Sequence, residues 1–179
     1  MISNTQEPTL NAVRCLVLYS LAEFQLGHAS AIRITVEGTA FAVADDGRGH
    51  AIDRVVAESP YLKFIYTHLD FPFEQNRGAP VQLQGIGMSL LNTLCSELKV
   101  EVRKPEATLQ LAFREGQFIS SQRLEQKSSE TGNTVAGTIH PKLQAAGVNL
   151  SELRQWLLSV NSAFPPLKLF LNSHELQAG

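Results

Sequence analysis

Apolar residues near the start of the chain recur at helical spacing. Leu10, Val13, Val17, Leu21 and Phe24 fall at i, i+3, i+7, i+11 and i+14, one stripe of a helix predicted over residues 10–26. Gly27 supplies its stop. A second ridge, at i, i+4 and i+8, carries Cys15, Tyr19 and Glu23. The helix is apolar round most of its circumference, so it is expected to be covered on two sides. The period then drops to two. Ile32, Ile34 and Val36 alternate with Arg33, Thr35 and Glu37, a strand with one buried face. Gly38-Thr39 turns the chain into the apolar run Phe41-Ala42-Val43-Ala44, a second strand that delivers Asp45 at its end.

Residues 54–84 are the least regular. Tyr61–Leu69 reads as a short helix, and Asp70–Pro80 as a loop by composition, long enough for a lid or binding segment. A helix carrying Leu90, Leu91 and Leu94 opens at Gly85-Ile86-Gly87. Alternation resumes at Leu98, Val100 and Val102, then at Leu109, Leu111 and Phe113, with a turn at Arg114-Glu115-Gly116-Gln117. Phe118–Leu124 and Val135–Ile139 are further strands. Asn149-Leu150-Ser151-Glu152 is a capping box for a helix with Leu153, Trp156, Leu157 and Val160, and Leu167–Leu171 is a last strand. Antiparallel strands with intervening helices predict an α+β domain, a mixed and largely antiparallel sheet with helices on one face.

Composition narrows the function classes. A formal net charge of −2 gives no electrostatic pull toward nucleic acid or anionic membrane, so neither is an expected direct partner. Met1–Pro8 lacks the basic and apolar regions of a signal peptide, and no stretch is apolar enough to span a bilayer. The expectation is a cytoplasmic protein. Cys15 and Cys95, both in apolar helical patterns, read as buried hydrophobes, and no Cys/His spacing suits zinc.

Two stretches carry candidate chemistry. In Asp45-Asp46-Gly47-Arg48-Gly49 a carboxylate ends a strand and is followed by two glycines. The glycines permit positive φ or close backbone approach, and the carboxylate can accept from an amine. Taken alone, the segment is equally ordinary turn chemistry. In Gln84-Gly85-Ile86-Gly87 two glycines open a helix whose free amides suit a phosphate. It is neither a Walker loop nor a dinucleotide fingerprint.

In order, these pieces resemble the ATP-binding domain of DNA gyrase B proteins, within the GHKL (Bergerat-fold) ATPases. Asp45-Asp46-Gly47-Arg48-Gly49 resembles that family's Asp-x-Gly-x-Gly box. Gln84–Asn92 resembles its His-Gly-Val-Gly-x-Ser-Val-Val-Asn segment, and Thr131-Gly132-Asn133-Thr134-Val135 its Thr-Gly-Thr strand start. Leu153–Leu158 with the closing strand resembles the domain's end. The resemblance implies a two-layer Bergerat sandwich over residues 10–173, with tails at 1–9 and 174–179 and no transducer domain.

The resemblance also implies roles. Asp45 would take the adenine amine, with Gly47, Gly49 and Ile52 around it. Gln84, Gly85, Ile86 and Gly87 would line the phosphates. Thr134, or Asn133 in the alternative register, would back the adenine, and Glu23 would pair with Arg48. ATP or ADP is the implied cofactor. Yet Cys15 stands where the family has its catalytic glutamate, and Tyr19 where it has its magnesium-binding asparagine. A thiol in an apolar helix is no carboxylate base, and a phenol is a poor ligand for magnesium. Gln82 replaces the first glycine of the phosphate loop, and residues 73–80 offer no matching lysine.

Three functions follow. One is a nucleotide-binding regulatory or accessory module with hydrolysis weak or lost, magnesium poorly held, acting on a protein partner. Another is an interaction module without nucleotide. The third is an ATPase using other groups: His50, Asp53, Glu7 or a residue of a partner. Glu7 and Asn11 have the family's glutamate–asparagine spacing, but eight residues early, about 12 Å along a helix at 1.5 Å per residue.

Overall fold

A computed structural model describes residues 7–68, 87–125, 127, 129–143 and 145–177. Helix α1 runs Pro8–Gln25. Pro8 suits the first helical position, where its missing N–H has no partner to lose. Glu7 is the cap: its carboxylate accepts from the amides of Thr9 (3.0 Å) and Leu10 (2.8 Å). Leu10, Val13, Val17 and Leu21 are buried as the stripe predicts, and so are Ala12, Cys15, Leu16 and Ser20 on the flanking ridges. The helix is covered on two sides because it lies on the sheet and also against a second helix. Arg14 stacks over Trp156, 5.5 Å from the ring centre, and Phe24 meets Phe164 edge-on at 6.0 Å.

The first hairpin joins β1 (Ala31–Glu37) to β2 (Ala40–Asp45), with Ile32 opposite Asp45. Beyond the glycine box a two-residue hairpin pairs β3 (Val55–Val56) with β4 (Ser59–Pro60), and α2 follows at Tyr61–Ile65. Helix α3 is Met88–Leu94, capped by Gly87. It runs straight into β5 (Cys95–Arg103), followed by β6 (Thr108–Arg114), β7 (Gln117–Leu124) and β8 (Gly132–Ile139). Helix α4 spans Leu150–Ala163, and the Asn149 side chain accepts from the Glu152 amide as the capping box predicts. Strands β9 (Lys168–Leu171) and β10 (His174–Leu176) close the chain.

Eight strands form one sheet in the order β10-β9-β1-β2-β8-β5-β6-β7. Among the described residues only β1 and β9 pair in parallel; the other neighbours are antiparallel. Period-two alternation therefore has the consequence it should: Ile32, Ile34, Val36, Phe41, Val43, Leu98, Val100 and Val102 point to the helix side and are buried. The α+β class with helices on one face of a mixed sheet is what the sequence predicts.

Four details differ from the sequence reading. Residues 174–176 are not tail but strand β10, whose Leu176 is 3% exposed. Helix α1 starts at Pro8, inside the expected N-terminal tail. Cys95 opens a strand rather than lying in a helix, because α3 ends without a loop and its last turn feeds the sheet. Helix α2 is shorter than Tyr61–Leu69. The expected loop Asp70–Pro80, and with it Gln82, Gln84, Gly85 and Ile86, lies outside the described residues.

Candidate functional site

Three elements meet at the end of β2. Strand β2 presents Asp45, α1 crosses above it with Ser20 and Glu23, and β8 lies alongside with Asn133 and Val135. Asp45 is 7% exposed, so its carboxylate needs partners. It has them. Oδ1 accepts from the amides of Gly47 (2.9 Å) and Asn133 (3.3 Å), and Oδ2 accepts from the Ser20 hydroxyl (2.9 Å). Ser20 lies one residue after Tyr19 and three before Glu23. On a helix that spacing puts Ser20 and Glu23 on one side.

Glu23 is 2% exposed and accepts three hydrogen bonds from Arg48: amide (3.2 Å), Nε (3.2 Å) and Nη2 (2.8 Å). The expected Glu23–Arg48 pair is therefore present in the geometry. Its guanidinium side is open to solvent, and the Glu23 hydrogen bonds hold Arg48 above its ordinary pKa.

The glycine box is shaped by these carboxylates. A Cβ on Gly47 would stand 3.0 Å from both Asp45 Oδ1 and Glu23 Oε2, so only a bare backbone fits between them. Gly49 has φ +71, and a Cβ there would press on the Arg103 carbonyl at 3.0 Å. Loop carbonyls are also held from within the protein. Thr131 Oγ1 donates to Gly47 O (2.7 Å), Lys104 Nζ to Arg48 O (2.9 Å) and Arg103 Nη2 to Asp45 O (3.1 Å). The His50 amide donates to Asn133 Oδ1 (3.1 Å). The two glycines serve close internal packing, and the box is a rigid floor.

Above this floor is a narrow cleft lined by Leu16, Tyr19, Ser20, Val43, Asp45, His50, Tyr66, Met88, Asn133 and Val135. Its free volume is about 20 Å³. One water molecule needs about 10–15 Å³ on this kind of measure, and small-molecule sites run to several hundred.

The expected residues distribute as follows. Asp45 lies on the cleft floor, with Gly47 and Gly49 in the loop beneath it. Ile52 is buried in the core at 5% exposure and does not line the cleft; His50, two residues earlier, does. Thr134 is on the wrong face of the sheet. It pairs with Ala44 of β2, its hydroxyl accepts from Arg103 (2.7 Å), and it faces Lys99, Glu101 and Gln110 on the side without helices. Strand alternation turns Asn133 to the cleft instead, which is the alternative register. Gly87 caps α3 and is exposed.

Cys15 is buried at 2% exposure, and desolvation pushes its thiol up to about 12. Tyr19 lines the cleft. Glu7 is committed to capping α1, thirteen residues before Ser20, or about 20 Å along the helix at 1.5 Å per residue. Asp53 pairs with Arg123 at 2.7 Å. Among the described residues, no group of three or more His, Cys, Asp or Glu side chains gathers to hold a metal, and no helix is long and apolar enough to cross a membrane.

Sequence reasoning missed Ser20, Tyr66, Met88, Arg103 and Lys104. A signal existed for Ser20, a small polar residue that shares one side of the helix with Glu23. None existed for the bonds of Arg103 to Asp45 O and of Lys104 to Arg48 O, which join residues distant in sequence and are fixed only by tertiary structure.

The fold, a mixed and largely antiparallel sheet with helices on one face, is that of a GHKL, or Bergerat-type, ATP-binding domain. The solved ATP-binding domain of topoisomerase IV from Francisella tularensis, determined with a small-molecule inhibitor, superimposes with a TM-score of 0.75 over 92% of this chain and 83% of that one, at 21% identity. In sequence the chain is similar to DNA gyrase B proteins. It is 32% identical over 122 residues to the gyrase B protein of Campylobacter jejuni, covering 65% of this chain and 16% of that protein. To the gyrase B protein of Streptococcus pneumoniae it is 28% identical over 146 residues, covering 79% of this chain and 22% of that protein. The chain thus spans about a fifth of the length of these relatives. No protein-family model matches it.

Proposed function

We propose that the chain is a nucleotide-binding domain of gyrase-B type that holds ATP or ADP weakly at Asp45, does not hydrolyse it, and acts as a regulatory or accessory module for a protein partner. The observation that carries this reading is the Asp45 carboxylate. It is buried, anchored through Oδ1 by two backbone amides and through Oδ2 by the Ser20 hydroxyl, and it lies on the floor of the cleft between helix and sheet. A carboxyl oxygen so placed can accept from an exocyclic amine.

Loss of hydrolysis rests on the helix above. A thiol with a pKa of about 12 stays protonated at neutral pH and takes no proton from an attacking water. Tyr19 offers magnesium only a phenol. Glu7 and Asp53 are engaged elsewhere, as a cap and in an ion pair. Titration calorimetry with ATP and with ADP tests the binding. Asp45→Asn should weaken it by at least about tenfold, the worth of ~1.4 kcal/mol. No heat with wild type sinks the reading. Phosphate release above buffer in the presence of magnesium would overturn the loss of hydrolysis.

A second reading is favoured by the cleft volume. About 20 Å³ is far below the volume of a small-molecule site, so a base needs side chains lining the cleft to move. If they do not, the fold serves as an interaction module without nucleotide, and the calorimeter records nothing.

A further inference from the structure

We propose that Asn92 is the latch of a gate on the cleft: its carboxamide holds the wall formed by Tyr66 and Met88 in a closed position, and the cleft widens when that hold is released. The latch follows from geometry; what an open cleft admits rests on the nucleotide-binding reading above. Asn92 is 1% exposed and lies on α3 one turn after Met88. Its Nδ2 donates to the carbonyl oxygens of Tyr66 (2.9 Å) and Gly116 (3.2 Å). Met88 and Tyr66 both line the cleft. One side chain thus ties the end of α2, the helix α3 and the β6–β7 turn together, and the first two of these bear on the cleft.

The other half of the carboxamide shows what the closed position costs. Two carbonyls fix which way the group faces, because only Nδ2 has protons to give. Oδ1 is thereby left buried with no hydrogen-bond partner. An unmet buried acceptor offsets much of what the two bonds contribute. A movement that parts Tyr66 from α3 lets water reach Oδ1 and recovers that loss, which brings the open position nearer in free energy. The movement is local. Tyr61, Leu62 and Ile65 are buried in the core and keep the body of α2 in place, so the moving part is the turn after it. There the amides of Tyr66, Thr67 and His68 donate to Lys63 O (3.2 Å), Phe64 O (3.2 Å) and Phe64 O (2.9 Å). Tyr66 is itself 2% exposed, with its ring centre 5.6 Å from that of Phe113, and this contact keeps the open position the minor one. The β6–β7 turn is the fixed side, since the Glu115 amide donates to Ser96 O (3.0 Å).

Hydrogen exchange followed by NMR reads the gate without any ligand. In wild type the Asn92 Nδ2 protons and the amides of residues 66–68 should share one protection factor, because one opening exposes them all. That factor should lie at least about tenfold below that of the β1–β2 hairpin. Nδ2 protons as protected as the hairpin would make Asn92 a static brace and overturn the gate. Asn92→Leu removes the donor and the orphaned acceptor at similar size. It should speed exchange at residues 66–68 by about tenfold and leave the hairpin unchanged. Asn92→Ala repeats the test with a smaller side chain. Speeding of both segments by the same factor, or of neither, overturns the latch. Titration with ADP separates the latch from the parent reading. Where ADP binds, Asn92→Leu should tighten it by up to about the same tenfold, because affinity scales with the open fraction. Binding no tighter than that of wild type overturns the gate. Absence of ADP binding by wild type and both variants removes the nucleotide-binding reading and leaves the latch standing on the exchange result.

Discussion

Gly132 shows how little tolerance the site has. Its φ is +129, and a Cβ added there would stand 2.0 Å from the carbonyl oxygen of Asp45. No side chain can meet that distance, so β2 and β8 would have to part where they frame the carboxylate. Gly132→Ala should therefore destabilise by more than the ~1–3 kcal/mol typical of a strained backbone position. That corresponds to a melting temperature lower by several degrees, at about 2–4 °C per kcal/mol for a chain of this size. Gly87→Ala is the contrast: a Cβ there meets nothing within 4 Å, so it should cost no more than the roughly 1 kcal/mol of a poorer helix cap. At this scale the sequence showed the Asp45 loop, a short contiguous motif, whereas the Glu23–Arg48 pair, 25 residues apart, was expected only from the family resemblance. It left the choice between Asn133 and Thr134 open, since one residue of register reverses the face of a strand. The partnership of Ser20 with Asp45 crosses 25 residues and has no local signature.

Between elements, Asp46 acts as a clasp. Its carboxylate accepts from the amides of Ser30 (2.7 Å) and Ala31 (3.0 Å) and from the Ser30 hydroxyl, tying the exit of β2 to the entrance of β1. Burial pushes this carboxyl up, but the Ser30 hydroxyl and the two amides together outweigh it and hold it below the usual carboxylate range. A depressed folded-state pKa contributes stability above the unfolded value, about 3.9, and that contribution is lost as pH falls through the folded value. Asp46→Asn should melt below wild type at neutral pH, and the difference should shrink below about pH 4. An undiminished difference in acid would assign the effect to packing. The long elements were legible because their periods are clean. The β3–β4 hairpin and β10 were not, because two- and three-residue strands have no period to read.

For the whole molecule, the closing strands matter most. Strand β9 is held by β1 in parallel, and β10 extends the sheet by one more strand, burying Leu176 over α4. Burying a leucine is worth about 1.5–3 kcal/mol. A chain ending before His174 should therefore melt roughly 5–10 °C lower, by the same size scaling. Equal melting would mean that β10 adds nothing to the sheet. The parallel pairing was invisible in the sequence, which predicted the last strand without its neighbour.

The sheet order also bears on how the chain reaches its native state. Strand β8 lies between β2 and β5, yet it follows both in sequence and also follows β6 and β7. As the chain emerges, the β1–β2 hairpin and the β5–β6–β7 meander are complete before β8 exists, leaving the inner edges of β2 and β5 unpaired. Strand β8 then enters as a central strand, satisfying both edges in one event of high sequence separation, which makes it slow. Until it arrives, Asp45 lacks the Asn133 amide, and two hydrophobic strand edges face water. Assembly of the Asp45 floor and closure of the sheet are thus one step, so a chain caught before it both lacks the cleft and is prone to pair with a neighbour.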